Sequence, residues 1–494
     1  MKKIYILFGI VWLFSACSED FLDRASSTRV STDQAISTQN DIVTATDGLY
    51  ALMASTYYYN GSMFLYGDVK GDDLQATSWS SGRGSVYRFY TFEHTTDIPN
   101  NGGLWGRPYY IIRNAWNIIN AIDEGLIQDA SKADLADYKG QALAAIALCH
   151  FDLLRCYSYP YAKDNGKSIG IPIVDHAIGF EEFPDRSKVA DCYEFIIKYL
   201  KEAIPLLSES KNNGHLNAWA ARALLARVYL YCEKNTEAFD TADQLIRDLN
   251  SDGRYYLASR ANYVSQFALN NKFGSEALFQ IANTSSNNPG RDGLAYLYHW
   301  WGYASIYVTN PFAEVLNSIN WDADVRRQMF RWVGNNSDGW HYVLEKYPGA
   351  QYYDVPSFEN NYTVLRLSEV YLIAAEAGWK AGGEKREPAR QYLSRITSRA
   401  TGYDVEDVDF TLDRVLYERR LELIGEGHRY FDMLRNGKTM YRSGGYHFSN
   451  LTEVNWDTPK CILPIAREQF AFNPDMEENP GYLSLIDISE PTRH

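Results

Sequence analysis

Small residues at helical spacing restrict this 494-residue chain more than any other feature. Between Leu216 and Cys232, the alanines Ala218, Ala220, Ala221, Ala223 and Ala226 keep much of one helix surface free of bulk, so a second helix can approach closely. Leu225-Ala226, Tyr229 and Ala238 then fit the tetratricopeptide spacing, in which two helices form a hairpin on small residues. Ala377 and Ala389 keep the same interval of twelve. Upstream, Ile146, Cys149, Leu153 and Cys156 recur every three or four residues, as one buried helix stripe requires. Further helices are predicted near 41–58, 104–126, 187–207, 236–249, 365–381, 384–400 and 412–436. The expected fold is mainly α; alanine-rich helices also reach these spacings by chance, so the spacing alone leaves repeats open. Between the helices lie long stretches without period, 61–103, 253–261, 281–307 and 332–362. Loops this long in a compact body usually carry function.

The first residues bear on location. Lys2 and Lys3 precede an apolar run from Ile4 to Phe14 that is too short to span a bilayer comfortably, and Ser15-Ala16-Cys17 follows. Residues 1–16 read as a lipoprotein signal peptide, with Phe14 where leucine is usual. Cleavage before Cys17 would expose its amine and thiol to acylation, and two or more chains anchor stably where one does not. Beyond Phe14 no apolar run approaches the roughly eighteen residues a span needs. Length alone suggests about three domains. No Pro/Gly/Ser-rich linker divides the chain, so 17–482 is expected to be one body, with 483–494 a tail that reads as a cloning or assembly artefact.

The formal charge of −14 becomes −16 once Lys2 and Lys3 are removed, which disfavours nucleic acid as a partner. Besides Cys17 there are five cysteines, Cys149, Cys156, Cys192, Cys232 and Cys461, with no Cys-x-x-Cys or His-rich spacing. They are expected to be buried thiols, with no metal or other cofactor implied.

Several groups invite a catalytic reading. Asp72-Asp73 and Glu181-Glu182 are neighbours, which in extended chain point opposite ways, whereas a glycosidase needs two carboxylates facing across a bond. The stretch Asp404, Glu406, Asp407, Asp409 lacks the spacing and glycine of a calcium loop. No Walker loop, Gly-x-Ser-x-Gly elbow or His-Glu-x-x-His is present. In 418–432, Glu418, Arg419, Arg420 and Glu422 stand at intervals suited to intrahelical ion pairs. His428, Arg429 and Asp432 follow an interruption at Gly425 and Gly427, where a buried polar network could lock the helix to the scaffold.

The recognition signal is aromatic. Arg291-Asp292-Gly293-Leu294-Ala295-Tyr296-Leu297-Tyr298-His299-Trp300-Trp301-Gly302-Tyr303 is too rich in rings to bury entirely. A second cluster runs from Trp79 through Arg83 to Tyr87. Flat indole and phenol faces stack on the C–H face of a sugar, while Arg, Asp and Asn bind its hydroxyl edge. The candidate ligand residues are Trp79, Arg83, Tyr87, Tyr296, Tyr298, Trp300, Trp301 and Tyr303. For Trp79, Trp300 and Trp301, burial or contact with a protein partner remains the alternative.

Several ordered blocks resemble the SusD/RagB family. They are Cys17-Ser18-Glu19-Asp20-Phe21-Leu22-Asp23, then 366–377 from Arg366-Leu367-Ser368-Glu369 onward, then 418–432, then Leu463-Pro464-Ile465 with Asn473-Pro474 and Asn479-Pro480-Gly481-Tyr482. The resemblance implies a cell-surface glycan-binding lipoprotein of Bacteroidetes, mainly α with a tetratricopeptide-like helical hairpin scaffold, lipid-anchored on the extracellular side of the outer membrane. It would capture oligosaccharides without catalysis and deliver them to a SusC-like TonB-dependent transporter. Glu19, Asp20 and Asp23 resemble the signal that sends such lipoproteins to the outer face. A peptide-binding member, a lid with no ligand of its own and a surface glycoside hydrolase are the alternatives.

Overall fold

In the computed structural model the described residues run from 36 to 482, apart from 78–84, 97–98, 180, 269–271, 336–338, 350, 353–354, 357–358, 405–408 and 443–450. The signal region with Cys17 and the tail 483–494 lie outside the described residues. Helices dominate. In chain order they are Gln39–Met53 (α1), Ser62–Val69 (α2), Ser85–Thr91 (α3), Pro99–Asp123 (α4), Lys132–Tyr157 (α5), Val189–Ala203 (α6), Ala218–Tyr231 (α7), Asn235–Asp252 (α8), Leu294–Tyr298 (α9), Asn310–Ser318 (α10), Leu367–Ala381 (α11), Arg386–Thr401 (α12), Leu412–Glu422 (α13), Arg429–Arg435 (α14) and Arg467–Phe472 (α15). Short strands punctuate them: Leu74–Ala76 (β1), Ile169–Pro172 (β2), Arg186–Lys188 (β3), Ala277–Ile281 (β4), Ile306–Val308 (β5), Phe330–Asn335 (β6), Gly339–Leu344 (β7) and Tyr362–Arg366 (β8). They pair two by two and antiparallel, β1 with β5, β2 with β3, β4 with β8, and β6 with β7.

The small residues act as the sequence predicts. Ala226 and Ala238 are fully buried in the α7–α8 hairpin, and Ala377 and Ala389 in the α11–α12 hairpin. Asn217 starts α7 by accepting a hydrogen bond from the Ala220 amide at 2.8 Å. The two hairpins stack through α8 and α11, while α4, α5, α6 and α7 pack in series before them. α5 is enclosed more fully than its four-residue stripe implies: every residue from 140 to 154 is buried. All five described cysteines are free and buried.

Two expectations are corrected. The predicted helix over 412–436 is two helices, α13 and α14, because Gly425 and Gly427 adopt φ of +78° and +74° between them. The turn also rests against α2, where a Cβ on Gly67 would lie 2.0 Å from the Gly427 carbonyl oxygen. The stretches 61–103 and 332–362 are not simply irregular: the first holds α2, β1 and α3, and the second most of the β6–β7 hairpin.

The charged block folds into a buried network, as expected, but its partners are not the intrahelical ones. Arg419 Nε donates to Asp432 at 2.8 Å, Arg420 Nε to Asp73 at 2.6 Å, and Arg326 Nη1 to Glu418 at 2.7 Å. Glu422 accepts from Arg366 Nη1 at 2.8 Å and Arg399 Nη2 at 2.7 Å. The helical interval permits intrahelical pairs, yet α13 is covered on several sides by other elements, and charges buried this deeply are satisfied across the packing surfaces. Only Arg414–Glu418, at the exposed start of α13, is an i,i+4 pair in that helix. Asp72 and Asp73 also depart from the extended geometry assumed for them: they sit in a bend and both reach Arg429, with Nε to Oδ distances of 2.7 and 3.4 Å.

Candidate functional site

β5 follows the aromatic run 296–303 and pairs with β1 across more than two hundred residues of sequence. Ala76 stands opposite Ile306, and past the strand end the Thr77 amide donates to the Ser305 carbonyl at 3.0 Å. Thr77, the residue after β1, therefore lies beside the end of the loop that carries Trp300, Trp301 and Tyr303. Trp79 and Arg83 themselves lie outside the described residues. Tyr87 is half-buried in α3, its carbonyl accepting from Thr91 Oγ1 at 3.0 Å.

The loop 299–305 folds back on α9. The Tyr303 amide donates to the Tyr296 carbonyl and the Ser305 amide to the Leu297 carbonyl, both at 2.8 Å. Gly302 makes this return possible, since a Cβ there would lie 2.2 Å from the Tyr296 carbonyl oxygen. Tyr296 and Tyr303, both half-buried, meet edge to face at 4.3 Å. Trp300 is 47% exposed, and the Arg331 guanidinium sits 5.4 Å from its ring. Arg331 Nε in turn donates to Glu345 at 2.6 Å. Half-buried Trp301 lies 4.0 Å from the His299 ring. Burial, helped by the nearby Arg331 charge, pushes His299 down to about 3, so this imidazole is neutral at ordinary pH. The tilted His299 ring thus gives Trp301 a neutral support.

Tyr298 is a correction. It is 1% exposed and its hydroxyl donates to Asp68 Oδ2 at 2.8 Å, while Asp68 Oδ1 accepts from the Gly427 amide at 3.1 Å. A buried phenol needs a polar partner, and Asp68 in α2 supplies it. Tyr298 therefore fixes the loop to the core and presents nothing to a ligand. Burial raises Asp68 to about 7 despite those two hydrogen bonds.

The carboxylates weighed for catalysis are engaged elsewhere. Asp72 and Asp73 are buried against Arg429 and Arg420. Glu181 and Glu182 are exposed, and Glu182 faces His176 at 2.7 Å. Glu406 and Asp407 lie outside the described residues. Among the described residues, no group of three His, Cys, Asp or Glu side chains could hold a metal.

A ring ladder that no sequence motif announces lies beyond β5. Tyr307 stacks on His341 of β7 at 4.7 Å, joining the hairpin to the β1–β5 pair. Along the hairpin, Trp332 lies 4.5 Å from Tyr342 and 6.3 Å from Trp340, and Arg327 lies 4.4 Å from Tyr342 and 5.2 Å from Trp321. Trp321, Trp332 and Trp340 are all about half exposed or more, at 48%, 48% and 62%. The legible signal was Trp332 and Trp340 flanking Asp338-Gly339, alternating residues around a hairpin turn.

The comparisons agree on one relationship. The model of the SusD family matches residues 208–482, and a second, described as starch-binding associating with outer membrane, matches 20–230. A SusD-like protein of Bacteroides ovatus is 25% identical over 470 residues, covering 88% of this chain and 82% of its own. The crystal structure of a SusD superfamily protein from Bacteroides vulgatus superposes with a TM-score of 0.86 at 48% identity, covering 91% of this chain and all of that one. Surface glycan-binding protein A from Bacteroides thetaiotaomicron, solved in complex with laminarihexaose, shares the fold at a TM-score of 0.69 and 20% identity, over 90% of this chain and 99% of that one.

Proposed function

The chain belongs to the SusD family, and from that premise we propose that it is a non-catalytic, cell-surface glycan-binding lipoprotein. On this reading, acyl chains on Cys17 hold it on the extracellular side of the outer membrane, and it passes captured oligosaccharides to a SusC-like TonB-dependent transporter. The match to a family described by starch binding and outer-membrane association supports the location. The observation that carries the binding claim is the loop 299–305, folded back on α9 so that Trp300 stands half exposed with Arg331 behind it.

That geometry suits a sugar. The free indole face offers stacking to the C–H side of a pyranose, and half-buried Trp301 and Tyr303 extend the apolar surface. Exposed Arg291 and Asp292 supply donors and acceptors for hydroxyls at the same loop. Laminarihexaose is the ligand of the more distant relative from Bacteroides thetaiotaomicron, and makes a reasonable first probe. The experiment is calorimetric titration of the body from Ser18 onward with laminarihexaose and hexasaccharides of other linkages, repeated on Trp300→Ala. Losing a central stacking ring costs about 2 kcal/mol or more, roughly thirtyfold in affinity. Wild-type affinity in the variant for whichever glycan binds would refute the platform, and no binding to any glycan would refute the function.

A further inference from the structure

A cavity lies away from this loop. It measures about 340 Å³, within the range of small-molecule sites, and its walls come from three segments far apart in sequence. α4 contributes Trp105, Tyr109, Tyr110 and Arg113; the end of β2 and the strap after it contribute Pro172, Val174 and Phe183; and the C-terminal stretch contributes Phe472, Asn473 and Met476.

The walls are tied together. Tyr109 Oη donates to the Pro172 carbonyl at 2.9 Å and Trp116 Nε1 to the Val174 carbonyl at 3.1 Å, which fixes the strap on α4. Arg186 joins the Gly170 carbonyl to the Glu477 carbonyl, both at 2.8 Å, and Asn473 Nδ2 donates to Asp185 at 2.9 Å. These bonds hold the C-terminal wall against the strap, so the cavity is part of the built fold.

Its chemistry is lopsided. Trp105 is buried at the floor, whereas Tyr110, Phe183 and Phe472 are 49%, 46% and 60% exposed around the mouth. Three large exposed rings around one opening form the kind of apolar patch that marks a binding site. The Phe183 and Phe472 rings lie nearly parallel, 5.9 Å apart and 20° from coplanar, and present flat faces rather than edges. Glu182 at the rim is already occupied by His176 and the Gly179 amide. Arg113 is exposed and has no hydrogen bond or ion pair among the described residues, in a chain whose net charge is −14.

We propose that this cavity binds a flat, mostly apolar small molecule bearing a carboxylate, its ring body among Tyr110, Phe183 and Phe472 and its anionic group on Arg113. Guanidinium pairs well with carboxylate, and burial of the apolar body beside it strengthens that pair. A neutral sugar is a poorer match, because the lining offers few hydrogen-bonding groups for its hydroxyls.

The test uses cinnamate as the probe and its methyl ester as the uncharged control, titrated into the body from Ser18 onward. Cinnamate is expected to bind at least tenfold more tightly than the ester. Arg113→Gln should erase that difference, and Phe472→Ala should weaken both compounds, while Trp300→Ala leaves both unchanged. Saturating cinnamate should leave glycan titration at the Trp300 loop unaltered. Four results would overturn the proposal: equal binding of acid and ester, full cinnamate affinity in Arg113→Gln, loss of cinnamate in Trp300→Ala, or no cinnamate binding with all variants folded. Failure here leaves the glycan reading standing, since that reading depends on a different loop.

Discussion

Replacing Glu422 with alanine is the sharpest test of the buried charge network as scaffold. Glu422 is fully buried and accepts from Arg366 at 2.8 Å and Arg399 at 2.7 Å, with a third guanidinium, Arg326, at 3.8 Å. Burial alone would raise this carboxyl, yet Arg399, Arg366 and Arg326 outweigh it and hold the acid well below its ordinary range. Removing it strands guanidinium groups without one of their counter-charges, and breaking one partner of a buried pair costs about 3–5 kcal/mol. At about 2.1 cal/mol/K of unfolding entropy per residue, a body of roughly 450 residues has ~1 kcal/mol/K, so ~4 kcal/mol lowers Tm by ~4 °C. Because the folded pKa lies below the unfolded value near 4.3, the contribution is complete above that value and is lost as pH falls through the folded pKa. The melting gap between wild type and Glu422→Ala should therefore be full at pH 7 and shrink below about pH 4. Differential scanning calorimetry across this range reads it directly. A variant that melts within ~1 °C of wild type at pH 7, or a gap that widens in acid, would refute the network as a stabilising scaffold.

Asp68 carries the opposite sign: its pKa of about 7 lies above the unfolded value near 3.9, so it costs stability progressively as pH rises from about 4 to 7. Asp68→Asn should gain on wild type between pH 5 and pH 8, by an upper bound of ~2.7 kcal/mol at about 1.36 kcal/mol per unit, and a constant difference in calorimetry would contradict this. Gly302→Ala places a Cβ 2.2 Å from the Tyr296 carbonyl oxygen and should displace the loop 299–305, reducing glycan affinity at least as far as Trp300→Ala while Tm falls by less than in Glu422→Ala; unchanged glycan titration would show that the loop does not shape the site. Cys17→Ala should move the protein from the membrane to the soluble fraction or leave it unprocessed, because acyl chains and no helix are the proposed anchor; firm retention in outer-membrane fractions argues against lipidation.

The scaffold was more legible in the sequence than the site, for a physical reason. Helix hairpins announce themselves locally: Ala226 and Ala238, or Ala377 and Ala389, twelve residues apart, are small because two helices cross there, and the structure buries all four completely. The charged block 418–432 was readable as a buried network, but not its partners, because Asp73, Arg326, Arg366 and Arg399 come from distant elements that no helical interval reveals. The same holds for the aromatic loop. Composition shows that rings crowd 296–303, while exposure depends on which way the loop turns, and that is set by Gly302 folding back on Tyr296 and by Tyr298 reaching Asp68. One tyrosine of the cluster thus goes to the core so that its neighbour Trp300 can stand outside. The position of Thr77 beside that loop follows from the β1–β5 register, a long-range pairing of three residues per strand that is too short to leave a pattern. Trp332 and Trp340 stand in a hairpin of six residues per strand whose place beside the site no local period reveals, since it is set by Tyr307 stacking on His341 at the same sheet edge. In this fold, local spacing specifies the helices, and the surface they present for recognition is decided by a few tertiary contacts at glycines and buried hydroxyls.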